Sequence, residues 1–464
     1  MLKLTKIIAT IGPASDAPEM IEKLIKSGVN IFRFNFKHNL VQWHNERIIR
    51  VNQVAKKMGV GVGTLIDLQG PEIRILMPQD QIEIEKDELL LFGEEVFNNQ
   101  KKKGLSITHP QIIKYLKPGQ KLLADDGTLI FYLQKLGTKV YLQSQQKGIL
   151  KNRKSLVIPG ANFPFPVLVD RDFEGLKLAQ KNEIDFIALS FVRSAKDLQV
   201  VRREMKKNNL KARLIAKIET RKALEDLDNI IAHSDGVMVA RGDLGVELPI
   251  EQVPYWQKVI IRKSLENRVP VITATQMLQS MVVNPYPTRA EVSDIANATY
   301  DLTDAIMLSA ETASGKYPLA AVEMMSKTAI FNEGKFQSDT RRLFNFKKNN
   351  IGDILCESAY NLYLSMQTNY QNLAGFLVFS TDGNTARTLA NYRPVLPIFV
   401  FTDNKKVADS LTLNFAVFAY IDAKREIKSA INLLLEKKLI TKDQYLFIVD
   451  DHLHLVSCHQ VGQI

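Results

Sequence analysis

The feature that most constrains the fold is a series of short β-branched runs in residues 213–318, each leading into polar residues and a helical pattern. Strands that alternate with helices at roughly regular spacing are typical of a parallel β/α array, in which functional residues gather at the carboxyl ends of the strands. The pattern therefore predicts such an array. The segments at the predicted strand ends are AKIET (216–220), MVARGDLGVELP (238–249), ITATQMLQSM (272–281) and MLSAETASGKYP (307–318).

The same alternation extends over both sides of this region. It predicts eight strands, which is the number that a closed (β/α)₈ barrel requires. The predicted strands are Lys6–Ile11, Asn30–Phe36, Gly61–Leu68, Asp185–Phe191, Arg213–Ile218, Gly236–Ala240, Val269–Ala274 and Ala305–Ser309.

Two further units interrupt and follow this array. After Gly70-Pro71 the apolar pattern changes to period two with turn signals, which indicates a β domain inserted after the third strand. We predict an α/β protein: a (β/α)₈ TIM barrel (1–69 and 162–335) with an inserted β-barrel lid domain (70–161) and a C-terminal open α/β domain (336–464).

Charge and cysteine content limit the partners and the compartment. The 464 residues carry a formal net charge of +11 and only two cysteines, Cys356 and Cys458, so we expect no disulfide framework and no zinc site. A reducing cytoplasm is the expected location. No apolar stretch reaches the roughly 18 residues that a membrane span needs, and no nucleic-acid-binding motif accompanies the basic residues. We expect anionic small substrates and neither nucleic acid nor a membrane as partner.

Charged residues at neighbouring strand ends predict the chemistry. Lys217 and Glu219 lie at i and i+2 and so face the same side of a strand, and Gly242-Asp243 directly follows the next predicted strand. Two carboxylates suit Mg²⁺, and an adjacent ammonium suits a reaction that builds negative charge on an enolate or phosphoryl oxygen. Each residue alone also fits a structural role, such as a solvated ion pair or a turn. Their joint occurrence favours a catalytic site.

The second and third strands add basic side chains. Arg33, Asn35 and Lys37 share one face of the second strand, and Arg74 follows the third. Arginine offers a fork of donors that suits phosphate, although two surface arginines paired with helix carboxylates are the structural alternative. The GxxxxGK[ST] motif does not occur, so a nucleotide must be held by a cleft and by single basic side chains. A cleft between barrel and lid would close over the substrate and exclude water.

Several long motifs resemble those of one family. They are KIIATIGPAS (Lys6–Ser15), FRFNFKH (Phe32–His38), DLQGPEIR (Asp67–Arg74) and ALSFVR (Ala188–Arg193), together with the strand-end segments above. The sequence resembles pyruvate kinases strongly over about residues 1–330 and weakly beyond. The resemblance implies a glycolytic phosphotransferase that moves the phosphoryl group of phosphoenolpyruvate to ADP, giving pyruvate and ATP. It also implies a homotetramer.

The resemblance further implies individual roles. Lys217 would steady the transferring phosphoryl group and the enolate oxygen, and Thr275 would contact the substrate on the proton route to the enolate carbon. The backbone around Gly242 and Asp243 would bind the substrate carboxylate, which suits a helix N-terminus. Glu219 and Asp243 would hold Mg²⁺ or Mn²⁺. The residues implied for phosphate and nucleotide are Arg33, Arg74, His38, Asn35 and Lys154.

One position departs from the family pattern. Pyruvate kinases carry a serine where this chain has Lys37, and that serine binds K⁺ together with residues matching Asn35, Asp67 and the Leu68 carbonyl. An ammonium and K⁺ about 4 Å apart would repel by roughly 4 kcal/mol at an effective dielectric near 20. Either the Lys37 ammonium pairs with Asp67 and makes K⁺ dispensable, or Lys37 turns to solvent and K⁺ still binds.

Two other functions and one regulatory question stay open at this point. The same acids would serve a Mg²⁺-dependent enolate-type barrel lyase, and a weakened paralogue would act as a binding protein. In the C-terminal domain, the Ser380–Thr385 loop opens a helix and suits a phosphate effector or a plain helix cap. The Gly/Thr/Asn-rich hairpin of many relatives does not follow at Cys458–Ile464, which puts allosteric control in doubt.

Overall fold

The first strands and helices alternate as predicted. The computed structural model describes residues 2–98, 103–125, 127–161, 163–335, 339–344, 346, 348, 350–370, 372–422 and 425–464. Gly59 caps the carboxyl end of helix α2 (Val41–Met58), and its φ of 66° is in the left-handed region that glycine adopts without strain. The first elements are β1 (Lys6–Thr10), α1 (Pro18–Lys26), β2 (Ile31–Asn35), α2 (Val41–Met58) and β3 (Gly63–Asp67).

The inserted unit consists of antiparallel and short strands around its own apolar core. Within the described part of this unit, a seven-stranded sheet has the order β12-β8-β9-β10-β6-β7-β4, and β5 pairs separately with β11. Alternating buried residues such as Leu129, Phe131 and Leu133 form this core, as the period-two pattern requires. The strands are β4 (Ile75–Leu76), β5 (Gln81–Ile84), β6 (Leu89–Phe92), β7 (Gly104–Ile107), β8 (Lys121–Ala124), β9 (Leu129–Leu136), β10 (Lys139–Ser144), β11 (Gly148–Lys151) and β12 (Leu156–Val157). Short 3₁₀ turns cover Glu94–Phe97 and Pro110–Tyr115.

The β/α alternation then resumes and completes the barrel. Its strands are β13 (Phe186–Leu189), β14 (Arg213–Ile218), β15 (Gly236–Ala240), β16 (Val271–Ala274) and β17 (Ala305–Leu308). Its helices are α3 (Asp170–Lys181), α4 (Ala195–Lys207), α5 (Arg221–Glu225), α6 (Leu227–His233), α7 (Arg241–Glu247), α8 (Val253–Glu266), α9 (Arg289–Tyr300), α10 (Ala310–Ala313) and α11 (Pro318–Asn332). Further 3₁₀ turns cover Ile250–Gln252 and Gln279–Val282.

The barrel closes in the order β1-β17-β16-β15-β14-β13-β3-β2. Every pairing around this ring is parallel, so the carboxyl ends of all these strands meet at one face. Side chains such as Ile8, Phe186 and Met307 fill the interior, and Leu413 of the C-terminal domain packs against them. The predicted fold class, including the eight-stranded barrel, is confirmed for the described residues.

The C-terminal domain is an open α/β sheet. Its order, among the described residues, is β20-β19-β18-β21-β22, with only β22 antiparallel. The sequence did not predict α15, β20 or β22, and β22 forms a hairpin with β21. The elements are α12 (Thr340–Leu343), α13 (Ile351–Gln367), β18 (Leu373–Phe379), α14 (Asn384–Asn391), β19 (Ile398–Thr402), α15 (Lys405–Ser410), β20 (Val417–Ile421), α16 (Ile427–Glu436), β21 (Tyr445–Asp450) and β22 (Leu455–Gln460), before a 3₁₀ turn at Val461–Gln463.

Two predicted boundaries, at residues 162 and 336, fall outside the described residues, and the domain limits stay predictions. None of the described helices is both long and apolar enough to cross a membrane.

Candidate active site

The predicted site residues lie at the carboxyl ends of neighbouring barrel strands. Lys217 is near the end of β14, Asp243 lies in α7 just after β15, and Thr275 directly follows β16. A cleft of about 680 Å³ separates this face from the inserted domain and is lined by Glu219, Asp243 and Thr275 from the barrel. Asp125 and Ser155 line it from the inserted domain, so the two units enclose the site between them.

Lys217 is the central charge of this face. Its Nζ lies 2.8 Å from Glu219 Oε1 and 3.1 Å from Asp67 Oδ1, and it donates to Ser190 Oγ at 2.8 Å. Burial alone would lower the pKa of Lys217, but Asp67, Glu219 and Asp243 outweigh burial and raise it above its usual value. Lys217 is therefore a permanently protonated ammonium in a buried position.

Glu219 and Asp243 suit a divalent cation. Glu219 is 1% exposed, and its Oε1 is without a hydrogen bond although the Lys217 ammonium is beside it. Burial raises the pKa of Glu219, Lys217 opposes this, and the Asp243 charge raises it further, so the two carboxylates are electrostatic neighbours. Among the described residues no group of three metal-binding side chains occurs. A cation here would therefore complete its oxygen ligands from substrate and water, as Mg²⁺ commonly does.

Arg33 is held by a buried ion pair. Its Nε and Nη2 donate to Asp67 Oδ2 at 2.8 and 2.6 Å, and Nη1 donates to Thr10 Oγ1 at 2.9 Å. Burial would raise the pKa of Asp67, but Lys217 and Arg33 overcome it and lower the pKa to about 2. Asp67 therefore joins the Arg33 guanidinium to the Lys217 ammonium across the end of the barrel.

Thr275 has a strained backbone at the edge of the cleft. Its φ is 71° and that of Gln276 is 55°, which are uncommon values for residues other than glycine and costly for a β-branched one. The Thr275 hydroxyl accepts from the Gly242 N–H at 2.7 Å and donates to the Ala274 carbonyl at 2.6 Å. The Gly242 N–H that we expected to bind a substrate carboxylate is thus bound to Thr275 in this state.

Lys37 takes neither of the two predicted positions. Its Nζ lies 3.8 Å from Glu72 Oε1 and 5.0 Å from the centre of the Phe191 ring, and its side chain is 14% exposed. The predicted pairing with Asp67 is wrong, because Arg33 and Lys217 already occupy that carboxylate. The alternative, a side chain turned to solvent, is also wrong.

The other atoms implied for K⁺ are engaged as well. The Asn35 Oδ1 accepts from the Lys37 backbone N–H at 3.2 Å, and the Leu68 carbonyl accepts from Ser190 Oγ at 2.7 Å. Both oxygens thus accept hydrogen bonds from groups of the protein itself.

The residues expected to hold phosphate and nucleotide surround the cleft. Arg74 donates to Glu72 Oε2 at 2.9 Å and to the Arg153 carbonyl at 2.7 Å, which ties it to the inserted domain. Burial lowers the pKa of His38, and Arg74, Lys37 and Arg33 lower it further, so His38 lies among these cations as a neutral imidazole at neutral pH. Lys154 lies in the inserted domain and pairs with Asp125 at 2.7 Å.

Sequence reasoning missed Ser190, Glu72 and Thr10. Ser190 bridges Lys217 and the Leu68 carbonyl, and Glu72 accepts from Arg74 and lies beside Lys37. Ser190 directly follows β13, so its place at a strand end was a usable signal. Thr10 gave no such signal, because its partner Arg33 is distant in sequence, and for Glu72 the nearby Arg74 did not indicate the contact with Lys37.

The loop that opens α14 has an internal carboxylate in place of a ligand. Ser380 Oγ and Thr385 Oγ1 donate to Asp451 Oδ2 at 2.8 and 3.2 Å. Asp451 lies between β21 and β22, in the hairpin that the sequence did not predict. This arrangement favours the structural role of the loop over the effector role.

Comparison with known proteins assigns the family. The family model described as "Pyruvate kinase, barrel domain" matches residues 2–322, and "Pyruvate kinase, alpha/beta domain" matches residues 363–453. A pyruvate kinase of Staphylococcus saprophyticus is 38% identical over 442 residues, covering 93% of this chain and 74% of the relative. One from Clostridium acetobutylicum is 38% identical over 435 residues, covering 91% and 89%.

A solved structure extends the similarity to the whole chain. The crystal structure of a pyruvate kinase from Cryptosporidium parvum superimposes with a TM-score of 0.90 at 30% identity, covering 99% of this chain and 96% of the other. The similarity thus includes the barrel, the inserted domain and the C-terminal domain.

Proposed function

The chain belongs to the pyruvate kinase family, and we propose that its cleft transfers the phosphoryl group of phosphoenolpyruvate to ADP, giving pyruvate and ATP. The observation that carries this proposal is the buried Lys217 ammonium, held between Asp67 and Glu219 at the strand ends that line the cleft. The comparisons give no support to the barrel lyase or to the binding-protein alternative.

Lys217 stabilises the negative charge that moves during transfer. When the phosphoryl group leaves phosphoenolpyruvate, charge develops on the enolate oxygen and on the oxygens of the transferred group. A fixed ammonium in a site that excludes water acts strongly on such charge and needs no reorganisation. Since its pKa is raised, Lys217 acts as a permanent positive charge and not as a proton donor.

Thr275 lies on the proton route to the enolate carbon. Its hydroxyl is fixed between the Gly242 N–H and the Ala274 carbonyl, and its strained φ aims it at the cleft. A substrate carboxylate that binds the Gly242 N–H would take the place of the Thr275 oxygen as acceptor. The hydroxyl would then be free to relay a proton to the enolate.

Glu219 and Asp243 would hold Mg²⁺ or Mn²⁺. The bound ion supplies Lewis-acid stabilisation of the enolate and phosphoryl oxygens. The Glu219 Oε1 faces Lys217 and its Oε2 accepts from the Phe191 N–H at 2.7 Å, so the ion would share or exchange these contacts, and the Lys217 Nζ would retain Asp67 and Ser190 as partners. The site is therefore neutralised internally before substrates and ion arrive.

Arg33 and Arg74 would bind the phosphate that is transferred, and His38, Asn35 and Lys154 would position the nucleotide. Arg74 and Lys154 lie within the predicted limits of the inserted domain and bond other residues of it, so closure of that domain would bring them to the nucleotide. The ion pair of Lys154 with Asp125 is partly exposed, at 43% and 26% of the two side chains, and is weak enough to exchange.

We also propose that the Lys37 ammonium makes K⁺ dispensable. It lies beside Glu72 and the Phe191 ring, largely out of solvent, and its positive charge helps to lower the pKa of Asp67, one of the residues that the family uses for K⁺. Its own repulsion of K⁺, roughly 4 kcal/mol at 4 Å, would weaken K⁺ binding by about a thousandfold.

A coupled assay of pyruvate formation tests the main proposal. We expect pyruvate only when phosphoenolpyruvate, ADP and a divalent cation are all present. Pyruvate formed at the same rate without ADP would contradict the proposal and favour a lyase.

Replacement of Lys37 tests the K⁺ proposal. The wild type should turn over within about twofold at the same rate in K⁺ and in tetramethylammonium, whereas K37S should become at least about tenfold activated by K⁺, because a hydroxyl replaces the repelling ammonium. K37R retains the charge and is the matched control. A wild type that is strongly activated by K⁺ would refute this role.

The cytoplasm and a homotetramer are proposed by analogy with the family. Sedimentation of the full chain, with and without substrates, tests the second of these. A mass of one chain at all concentrations would contradict it.

A further inference from the structure

Two chain segments connect the inserted domain to the barrel, and a single buried carboxylate contacts both of them. The chain leaves the barrel after β3 (Gly63–Asp67) and returns at α3 (Asp170–Lys181), so strands β4 to β12 lie between these two connections. The carboxylate belongs to Asp172, in the first turn of α3, which is 0% exposed.

Asp172 accepts hydrogen bonds from backbone N–H groups of both connections. Its Oδ1 accepts from the Gln69 N–H at 2.7 Å, and its Oδ2 accepts from the Val169 N–H at 3.0 Å. The Gly70 N–H is shared between the two oxygens, at 3.4 Å from Oδ1 and 3.2 Å from Oδ2. Gln69 and Gly70 lie in the outgoing connection, and Val169 ends the returning one. One carboxylate thus holds the two connections together.

The charge of this carboxylate is stabilised by these N–H groups and not by a cation. Burial raises the pKa of Asp172 above its usual value, although the three N–H donors oppose this. In the described part of the chain, Asp172 forms no ion pair with a lysine or arginine. A buried carboxylate without an ion pair is tolerated only where hydrogen bonds satisfy it. The two connections and the carboxylate therefore fix one another.

The outgoing connection packs tightly against the catalytic face. Gly70 has a φ of 67°, and a Cβ at this position would lie 3.1 Å from the Ser190 Cβ and 3.2 Å from the Ser190 carbonyl oxygen, so only glycine fits without strain. Ser190 accepts from the Lys217 ammonium at 2.8 Å. The backbone that Asp172 binds therefore rests on the side chain that holds Lys217.

The same connection leads to the cations that we propose for phosphate and nucleotide. Arg74 lies shortly after Gly70 and forms an isolated β-bridge with Ser155. The Lys154 carbonyl accepts from the Ile75 N–H at 2.9 Å. The position of Gly70 therefore fixes where Arg74 begins, and through this pairing it also fixes where Lys154 lies.

We propose that Asp172 is a positioning residue for phosphoryl transfer. Its carboxylate fixes the point about which the inserted domain closes over the cleft, and it thereby places Arg74 and Lys154 at the nucleotide. Without this carboxylate the two connections would separate, and the domain would close in a less defined position. The consequence for catalysis rests on the proposed function, whereas the contacts of Asp172 are measured without turnover.

Steady-state kinetics of D172N test the proposal, because this substitution keeps the size of the side chain. An amide accepts only through its oxygen, so one of the two connections loses its acceptor in either orientation. We expect KM for ADP to rise at least about tenfold, because the domain that carries Lys154 is misplaced. KM for phosphoenolpyruvate should rise at most about threefold, because Lys217 and Arg33 of the barrel still hold that substrate. A variant that only folds less well would have a lower apparent kcat and unchanged KM values.

D185N is the matched control. Asp185 also accepts from a backbone N–H, that of Thr64 at 2.9 Å, but it precedes β13 at the amino-terminal end of the barrel, away from both connections. D185N should retain both KM values of the wild type. Unchanged KM values in D172N, or an equal rise in both, would overturn the proposal.

Hydrogen exchange measures the contacts of Asp172 directly. In the wild type, the Gln69, Gly70 and Val169 amides should exchange at least about a hundredfold more slowly than in an unstructured peptide, although none of them lies in a helix or strand. In D172N, at least one of the two connections should exchange about tenfold faster. The wild type provides the answer if D172N does not fold, since rapid exchange of all three amides would refute the role of Asp172.

This proposal and the proposed function fail separately. A wild type that forms no pyruvate from phosphoenolpyruvate and ADP would contradict the proposed function. Calorimetric titration with ADP and Mg²⁺ tests Asp172 in either case, and D172N should bind ADP at least about tenfold more weakly than the wild type and D185N. Equal binding by all three proteins would overturn the role of Asp172, whether or not pyruvate is formed.

Discussion

The two ends of strand β14 hold cations whose ion pairs differ in length. At the carboxyl end, Lys217 has carboxylates at 2.8 and 3.1 Å. At the amino end, Arg213 has its Asp235 partner at 3.9 Å, and among the described residues the neighbouring Arg387 bonds neutral acceptors only. The charges at the active end are thus held by close ion pairs, whereas those at the base have a long ion pair and neutral hydrogen-bond acceptors.

This difference has a physical consequence for each end. Ion pairs at the active end hold Lys217, Arg33 and Glu219 in position before substrates arrive, but substrates and metal must exchange partners with them. Preorganisation of this kind favours catalysis because charges need not be reoriented during the reaction. At the base, the buried Arg387 guanidinium is stabilised by neutral hydrogen-bond acceptors, which offset less of the cost of burying its charge than an ion pair would.

The largest expected effect is loss of turnover in K217M. Removal of the ammonium should lower turnover by at least about a thousandfold, because Lys217 lies between Asp67 and Glu219 and, among the described residues, no second cation pairs with both. Steady-state rates measure this, and K207M, which changes an exposed lysine of α4, is the control. Turnover of K217M near that of the wild type would contradict the role of Lys217 and remove the contrast between the two ends.

The next effect is that of the Thr275 hydroxyl. T275A should lower turnover by about a hundredfold, which is within the usual range for a lost proton-transfer group, whereas T275S should retain most of it. Exchange of solvent deuterium into pyruvate separates proton transfer from phosphoryl transfer. Unchanged deuterium exchange in T275A would show that Thr275 has no part in the proton route.

Acid should lower the stability of the fold by protonating Asp67 at the active end. Its folded pKa of about 2 lies below the usual 3.8, so its contribution of about 2 kcal/mol is present above pH 4 and is lost as the pH falls toward 2. Thermal unfolding between pH 5 and pH 3 measures this. The apparent Tm of D67N should be lower at pH 5 and should fall less steeply. Parallel curves for both proteins would argue against the Arg33–Asp67–Lys217 bridge.

The smallest expected effect is a change in thermal stability caused by Asp185, at the amino-terminal end of the barrel. Burial raises the pKa of Asp185 to about 6, so the folded state binds a proton more readily than the unfolded chain does. Asp185 therefore adds to the free energy of unfolding only at low pH, and its charged form lowers that free energy at pH 8. D185N should therefore raise the apparent Tm at pH 8 by about 2 °C and leave it unchanged near pH 4. An equal shift at both pH values would show that charge is not the cause.

Much of the fold and of the site could be predicted because both depend on local pattern. The alternation of β-branched runs and helical segments locates the strands, and Lys217, Glu219, Asp243 and Thr275 lie at or just after strand ends. The edge strand β22 was missed because its residues are only partly buried and its apolar pattern is weak.

The sequence by itself determined the barrel, the inserted domain and which side chains lie at the carboxyl face of the barrel. These features follow from the periodicity of each strand and from the succession of strands and helices along the chain, which are local properties. Only the tertiary structure decided the partner of each charge. Arg33 and Lys217 reach Asp67 across the closed barrel, which leaves Lys37 beside Glu72 and Phe191. The tertiary structure alone also placed Arg387 against the base of the barrel. Such pairings depend on distances between residues far apart in the chain, and electrostatic energies change steeply with those distances.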